Sequence, residues 1–169
     1  MGRNILDEKF LENKGRYLVQ CAMAFLTILI ILLVLNVFEQ TALIASLGAS
    51  AFIVFAMPGS YSAKPRSIIG GYFFGITTGV LFNVVARLPY IRSLPISAVL
   101  EYTFFSAVAV GLTMLAMVVF NVEHPPAAGM ALGLVLQNWQ VPSLALVIVA
   151  VLMLSAVRVV LRDYLIDLH

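Results

Sequence analysis

The sequence predicts an all-α, multi-pass transmembrane protein with four to six membrane segments, two of them short. Three observations carry that expectation. Of 169 residues, 62% are hydrophobic and 11% charged, and the mean hydropathy is +1.05, more apolar surface than a water-soluble globule of this length buries. The apolar residues come in long unbroken runs rather than in the alternation of half-buried strands. The Lys and Arg residues stand between those runs or at their ends, where membrane-flanking residues belong.

Residues 1–16 carry Leu6 and Phe10 among charges, with Tyr17 following; this suits either a short cytoplasmic helix lying in the interface or a polar tail. Tyr17 to Phe38 is 22 residues without a charge, enough at about 1.5 Å each to cross a hydrocarbon core of about 30 Å, and too long for a signal-peptide core. The further runs are Ala42 to Met57, Ser67 to Ala86, Ile96 to Phe120, Ala127 to Asn138 and Ser143 to Val160. The runs from Ala42 and Ala127 would reach only about 24 and 18 Å as helices. They either cross thinly or are re-entrant.

The two short runs sit in corresponding places. Glu39 and Pro58 bracket the first, Glu123 and Pro142 the second, and each pair is 19 residues apart. This suggests a repeat, 17–86 and 96–160, inside one transmembrane domain of 17–162, with 163–169 as a cytoplasmic tail. Paired short segments are the usual pointer to a transport site. Counting Lys and Arg, eight residues fall on one side and two on the other whether the short segments cross or not, so both termini are expected in the cytoplasm. The same count leaves open an inverted or a parallel repeat.

The stretch FNVEHPPAAGM, Phe120 to Met130, interrupts this apolar pattern. Pro125 and Pro126 disfavour helix in the residues before them, and a helix can begin at Pro126, where a missing N–H costs nothing. Ala127, Ala128 and Gly129 then leave the first-turn amides almost uncovered. In lipid such amides need protein, water or a ligand, and a helix amino end favours an anion. Ser46 to Ser50, SLGAS, is a fainter copy in the first half. The expected small-anion site therefore joins His124, Pro125, Pro126, Ala127, Ala128 and Gly129 to Gly48, Ala49 and Ser50, near mid-membrane.

These residues resemble the HPP family of small integral membrane proteins. The likeness rests on HPPAAG at His124 to Gly129, on LGASAFIVFAMPGSYSAKPR at Leu47 to Arg66, and on IIGG at Ile69 to Gly71. Departures from the family pattern are Lys64 where glutamine is usual, Tyr72 where histidine usually follows Gly-Gly, and Ala128-Gly129 where Gly-Ala is commoner. The family is described as having four transmembrane helices, and some members are associated with nitrite transport. The resemblance implies a transporter or channel for a small anion, nitrite first, with Lys64 and Arg66 near the pathway. Some relatives carry appended CBS domains, and none is expected in a chain that stops at His169.

Other classes fit less well. Cys21 is the one cysteine and there are two histidines, too few for a zinc site, and no serine lies in a G-x-S-x-G elbow. No enzyme activity, metal or cofactor is expected, and a net charge of +2 gives no reason to expect nucleic acid. A non-transporting assembly subunit is the rival class. Glu101, inside a span, and Glu123 are candidates for proton relay, against snorkelling and plain water exposure. His124 can bind an anion when charged and pass a proton when neutral, or simply cap a helix. Gly71, Gly75 and Gly79 form a smooth small-residue face, from which a homo-oligomer, dimer or trimer, is expected. With no transit peptide, the expected location is the bacterial inner membrane.

Overall fold

A computed structural model of the chain describes residues 8–35, 41–93 and 95–168. Expectations that fall on Arg3, Leu6, Glu39 and His169 lie outside the described residues. Those residues form α1 (Glu8–Leu35), α2 (Thr41–Ala56), α3 (Pro65–Ala86), α4 (Pro89–Arg92), α5 (Ala98–Val119), α6 (Pro126–Leu136) and α7 (Val141–Val160), with a 3₁₀ turn at Tyr61–Ala63. Four helices, α1, α3, α5 and α7, are long and apolar enough to cross a membrane, α2 and α6 are the shorter apolar pair, and no strand occurs among the described residues. Residues 8–16 and the first span are one helix broken only at Asn13, whose backbone leaves the helical region (φ −126°, ψ 33°).

Contacts between helices fix their directions. Gly71, Gly75 and Gly79 of α3 meet His124, Ala127 and Ala131 in that order, so α3 and α6 run parallel. Thr78 of α3 bonds Thr113 of α5, and Phe82 stacks on Phe105, so those two are antiparallel. Arg158 at the end of α7 reaches the Pro58 carbonyl beyond α2, and Gln20 in the first half of α1 reaches the Phe55 carbonyl near the end of α2. The six apolar helices therefore alternate in direction. We call the end where α2 hands over to α3 proximal and the end where α3 hands over to α5 distal. The short helices each lead from one end toward the other, so neither is a re-entrant hairpin.

The glycine face expected to meet another copy is spent inside the protomer. A Cβ on Gly75 would overlap the Ala127 carbonyl oxygen, and one on Gly79 would come within 2.8 Å of Leu134 Cβ. Small residues let the α3 and α6 backbones approach closely, which is how helices associate where hydrophobic expulsion from water is absent. At the distal end the Asn83 amide of α3 donates to the carbonyls of Leu134 and Val135 at 2.9 and 3.0 Å. It thereby satisfies carbonyls that the short helix leaves unpaired at its carboxyl end.

Candidate functional site

Local sequence sets where α6 begins. After α5, Asn121 adopts φ 52°, the left-handed conformation that asparagine tolerates better than most residues. The Val122 amide bonds the Met117 carbonyl at 2.9 Å and the Asn121 amide the Val118 carbonyl at 3.3 Å, the paired closure of a Schellman motif. Val122, with 6% exposure, packs against Gly70. The chain then dives beside α3, and Pro126 starts the next helix. Gly75, which meets Ala127, is the eleventh of the 22 residues of α3, so α6 opens at about the middle of the bundle.

His124 lies in this dip and has 0% exposure. Its Nδ1 is 2.8 Å from the Ser62 carbonyl oxygen and its Nε2 is 2.7 Å from Ser50 Oγ. A carbonyl only accepts, so Nδ1 carries the hydrogen and Nε2 of the neutral ring accepts from the serine. The Ser50 hydroxyl also lies 2.8 Å from the Tyr72 hydroxyl and 3.0 Å from the Ser46 carbonyl; Tyr72 can donate to Ser46 Oγ at 3.3 Å, and Ser46 donates to the Leu43 carbonyl at 2.8 Å. Ser46, Ser50 and Tyr72 are all buried. Imidazole and three hydroxyls thus form one continuous chain between the connector, α2 and α3.

Of the expected site residues, the structure brings His124 and Ser50 into direct contact. Gly48 and Ala49 are exposed on the other side of α2, where Gly48 borders a groove with α1. The first α6 amides turn back on the chain, Ala127 bonding the His124 carbonyl at 2.9 Å and Ala128 the Pro125 carbonyl at 3.1 Å. Ala127 is buried, Ala128 half-buried and Gly129 exposed. A pocket of about 230 Å³ opens beside this end, lined by Met114, Met117, Glu123, His124, Pro125 and Ala128 among others. Pro126 is buried as the first residue of α6.

Lys64 and Arg66 frame the proximal mouth without touching the imidazole. The Lys64 ammonium sits 4.9 Å from the Tyr61 ring centre, and Arg66 donates to the Phe120 carbonyl at 3.2 Å. Together with Tyr61, whose hydroxyl donates to the Asn121 carbonyl, they clip the 57–64 loop to the connector. That loop supplies the Ser62 carbonyl. Glu123 joins the pocket, whereas Glu101 is buried at the other end of α5 with Oε1 unpartnered. Sixteen residues of α5 separate it from Met117, about 24 Å along a helix, so the two acids do not share a site.

Sequence reasoning named Ser46 only as the start of the SLGAS run, missed Ser62 and Met117, and noted Tyr72 only as a departure from a family pattern. No group of three or more His, Cys, Asp or Glu side chains placed to hold a metal occurs among the described residues.

Four helices of membrane-spanning length, and a short helix that starts about midway along α3 beside a buried histidine, define a multi-pass helical membrane protein with a polar cluster buried among its helices. The family profile described as HPP, transmembrane region, matches residues 12–166, and the chain belongs to that family. The chain is also similar to a transmembrane protein of Dictyostelium discoideum, 32% identical over 105 residues, which cover 60% of this chain and 34% of that one. The matched part is thus about a third of that relative's length. No solved structure matches.

Proposed function

We propose that the protein carries a small monovalent anion, nitrite first among candidates, across the bacterial inner membrane with both termini cytoplasmic. The observation that carries this reading is the pocket at the amino end of α6, where a helix beginning at mid-bundle meets a buried histidine and a chain of hydroxyls. A helix start concentrates partial positive charge, and Pro125 and Ala128 leave little side chain over it. Lys64, Arg66, Arg158 and Arg162 cluster at the proximal end, while Arg87 and Arg92 flank the distal one, which favours a cytoplasmic proximal end. In this state both imidazole nitrogens are occupied, so an anion reaches the ring only after the 57–64 loop or the connector shifts. A homo-oligomer remains part of the proposal, but it has to use a surface other than the α3 glycine face.

The test is flux of nitrite, nitrate, formate and chloride into proteoliposomes. Uptake of at least one of these, abolished by filling the pocket, supports the reading. A folded protein that carries none, and whose polar substitutions around His124 leave the host cell's phenotype unchanged, identifies a non-transporting assembly subunit instead.

A further inference from the structure

We propose that the His124 site binds one proton together with each anion, with the Ser50–Tyr72–Ser46 hydroxyls reversing their hydrogen bonds to accept it. The inference rests on the transport reading and names its coupling ion.

The argument is a count of hydrogens. With the ring neutral, Ser50 donates to Nε2, Tyr72 donates to Ser50, and Ser46 donates to the Leu43 carbonyl. With the ring protonated, Nε2–H donates to Ser50 Oγ, Ser50 turns to the Ser46 carbonyl, Tyr72 turns to Ser46 Oγ, and Ser46 keeps Leu43. Every donor has an acceptor in both states, and the Nδ1–H bond to Ser62 is common to both. The change needs only rotation of two hydroxyls. The proton comes from aqueous hydronium, whose O–H bond breaks to leave water as the N–H bond forms, and each hydroxyl keeps its single hydrogen.

What the protonated state lacks is a counter-charge. From α2, the groups facing the ring are serines; from α3, Tyr72; from α5, Met117; from the 57–64 loop, the Ser62 carbonyl. Tyr61, Lys64 and Arg66 are exposed at the mouth, and Arg158 of α7 is turned to the Pro58 carbonyl. Glu123 borders the same pocket half-buried, and no ion pair joins it to the ring among the described residues. An unpaired buried charge is costly. A monovalent anion in the pocket beside His124 supplies the missing charge, so proton and anion bind as a neutral pair.

The experiment uses the full chain in proteoliposomes containing a pH indicator, with an inward nitrite gradient and protein-free vesicles to subtract passive nitrous acid permeation. The expected result is internal acidification at one proton per nitrite carried, with a rate unaffected by an imposed membrane voltage. Ser50→Ala removes the acceptor of the charged ring's N–H, and charged hydrogen bonds are the stronger ones. It should move the pH of half-maximal flux to lower values by about one unit, tenfold in proton concentration. Ser50→Thr, which keeps the hydroxyl, should restore the midpoint. If the midpoint instead follows Glu123→Gln and ignores Ser50→Ala, the proton sits on the carboxylate and the proposal fails. Nitrite flux without proton movement overturns the coupling and leaves the transporter standing; no flux of any anion by folded protein overturns both. Nitrogen NMR of a histidine-labelled chain carrying His169→Gln gives a readout independent of flux. Nε2 should be unprotonated without nitrite and protonated when nitrite is added at the same pH, and an Nε2–H ring at rest would refute the count.

Discussion

Replacing Gly75 with alanine tests the close approach of the α3 and α6 backbones and, through it, the placement of the site. An ideal Cβ there overlaps the Ala127 carbonyl oxygen and lies 3.1 Å from its carbonyl carbon. Both obstacles are backbone, so no rotamer change relieves them. Overpacking costs about 1–3 kcal/mol, with backbone obstacles at the upper end, and alanine's better helix propensity returns about 1 kcal/mol. The net is about 2 kcal/mol of destabilisation, roughly thirtyfold in the folding equilibrium. For a chain of this size that lowers Tm by about 4–8 °C. Gly129→Ala is the matched control, because nothing lies within 4 Å of a Cβ at that position. It should leave Tm unchanged or raise it by about 2–4 °C. Thermal melts of both variants in one mild detergent, followed by nitrite flux, are the assay. A Gly75→Ala protein that melts at or above the wild-type temperature refutes the parallel packing of α3 on α6, and with it the depth assigned to His124.

Three further outcomes follow from the same geometry. His124→Ala leaves Ser50 and the Ser62 carbonyl without their partner, which costs about 1–3 kcal/mol in a melt, and it should cut anion flux at least about tenfold by removing the group that neutralises the anion. Flux at the wild-type rate with any of the four anions would put the pathway elsewhere. Ala128→Leu should fill the 230 Å³ pocket and block flux while Tm stays within a few degrees, since Ala128 is only half-buried; unaltered flux would show that the pocket is not on the route. Asn83→Ala should lower stability by about 2 kcal/mol, the combined worth of two buried hydrogen bonds, and an unchanged melt would mean that water replaces the amide at the end of α6.

The sequence made the segments legible and their faces illegible, for one physical reason. Charge-free runs of membrane length announce helices, and Pro125-Pro126 announces a new start, so five of the six apolar segments were placed to within about two residues, whereas α1 begins nine residues ahead of the expected Tyr17 because the charged segment before it is helical too. In an almost wholly apolar helix, however, the side facing protein and the side facing lipid have similar composition, and amphipathic periodicity carries no signal. The Gly71–Gly75–Gly79 face was readable as a packing surface, but not as one occupied by α6. Ser50 was singled out as a site residue, whereas Ser46, four residues earlier on the same helix face and in the same small-residue run, was not. Tyr72 carried a signal of its own, a polar side chain at a family position that usually holds another polar side chain, but only tertiary packing turns its hydroxyl toward Ser50. The Ser62 carbonyl has no signature in any side chain.

The helix boundaries before and after α4 show why the imidazole is held at the start of α6, about midway along α3. Helix boundaries repeat at an offset of 84 residues for α1 ending at Leu35 and α5 ending at Val119, and α2 at Thr41 begins one residue out of step with α6 at Pro126. The third helices break the offset. From Ala56 to Pro65 the first half inserts the 57–64 loop, whereas only residues 137–140 separate α6 from α7. That longer loop holds Ser62 and is clipped to the α5–α6 connector through Tyr61 and Arg66. Alternating helix directions place the two short helices antiparallel, so their amino ends point to opposite ends of the bundle, and the longer loop lies at the end where α6 begins. The partner that fixes the His124 tautomer is therefore supplied by the loop at which the two sets of helix boundaries part. Matching helix boundaries alone would give two similar helix starts; the additional loop lets one of them hold an imidazole in a defined hydrogen-bonding state.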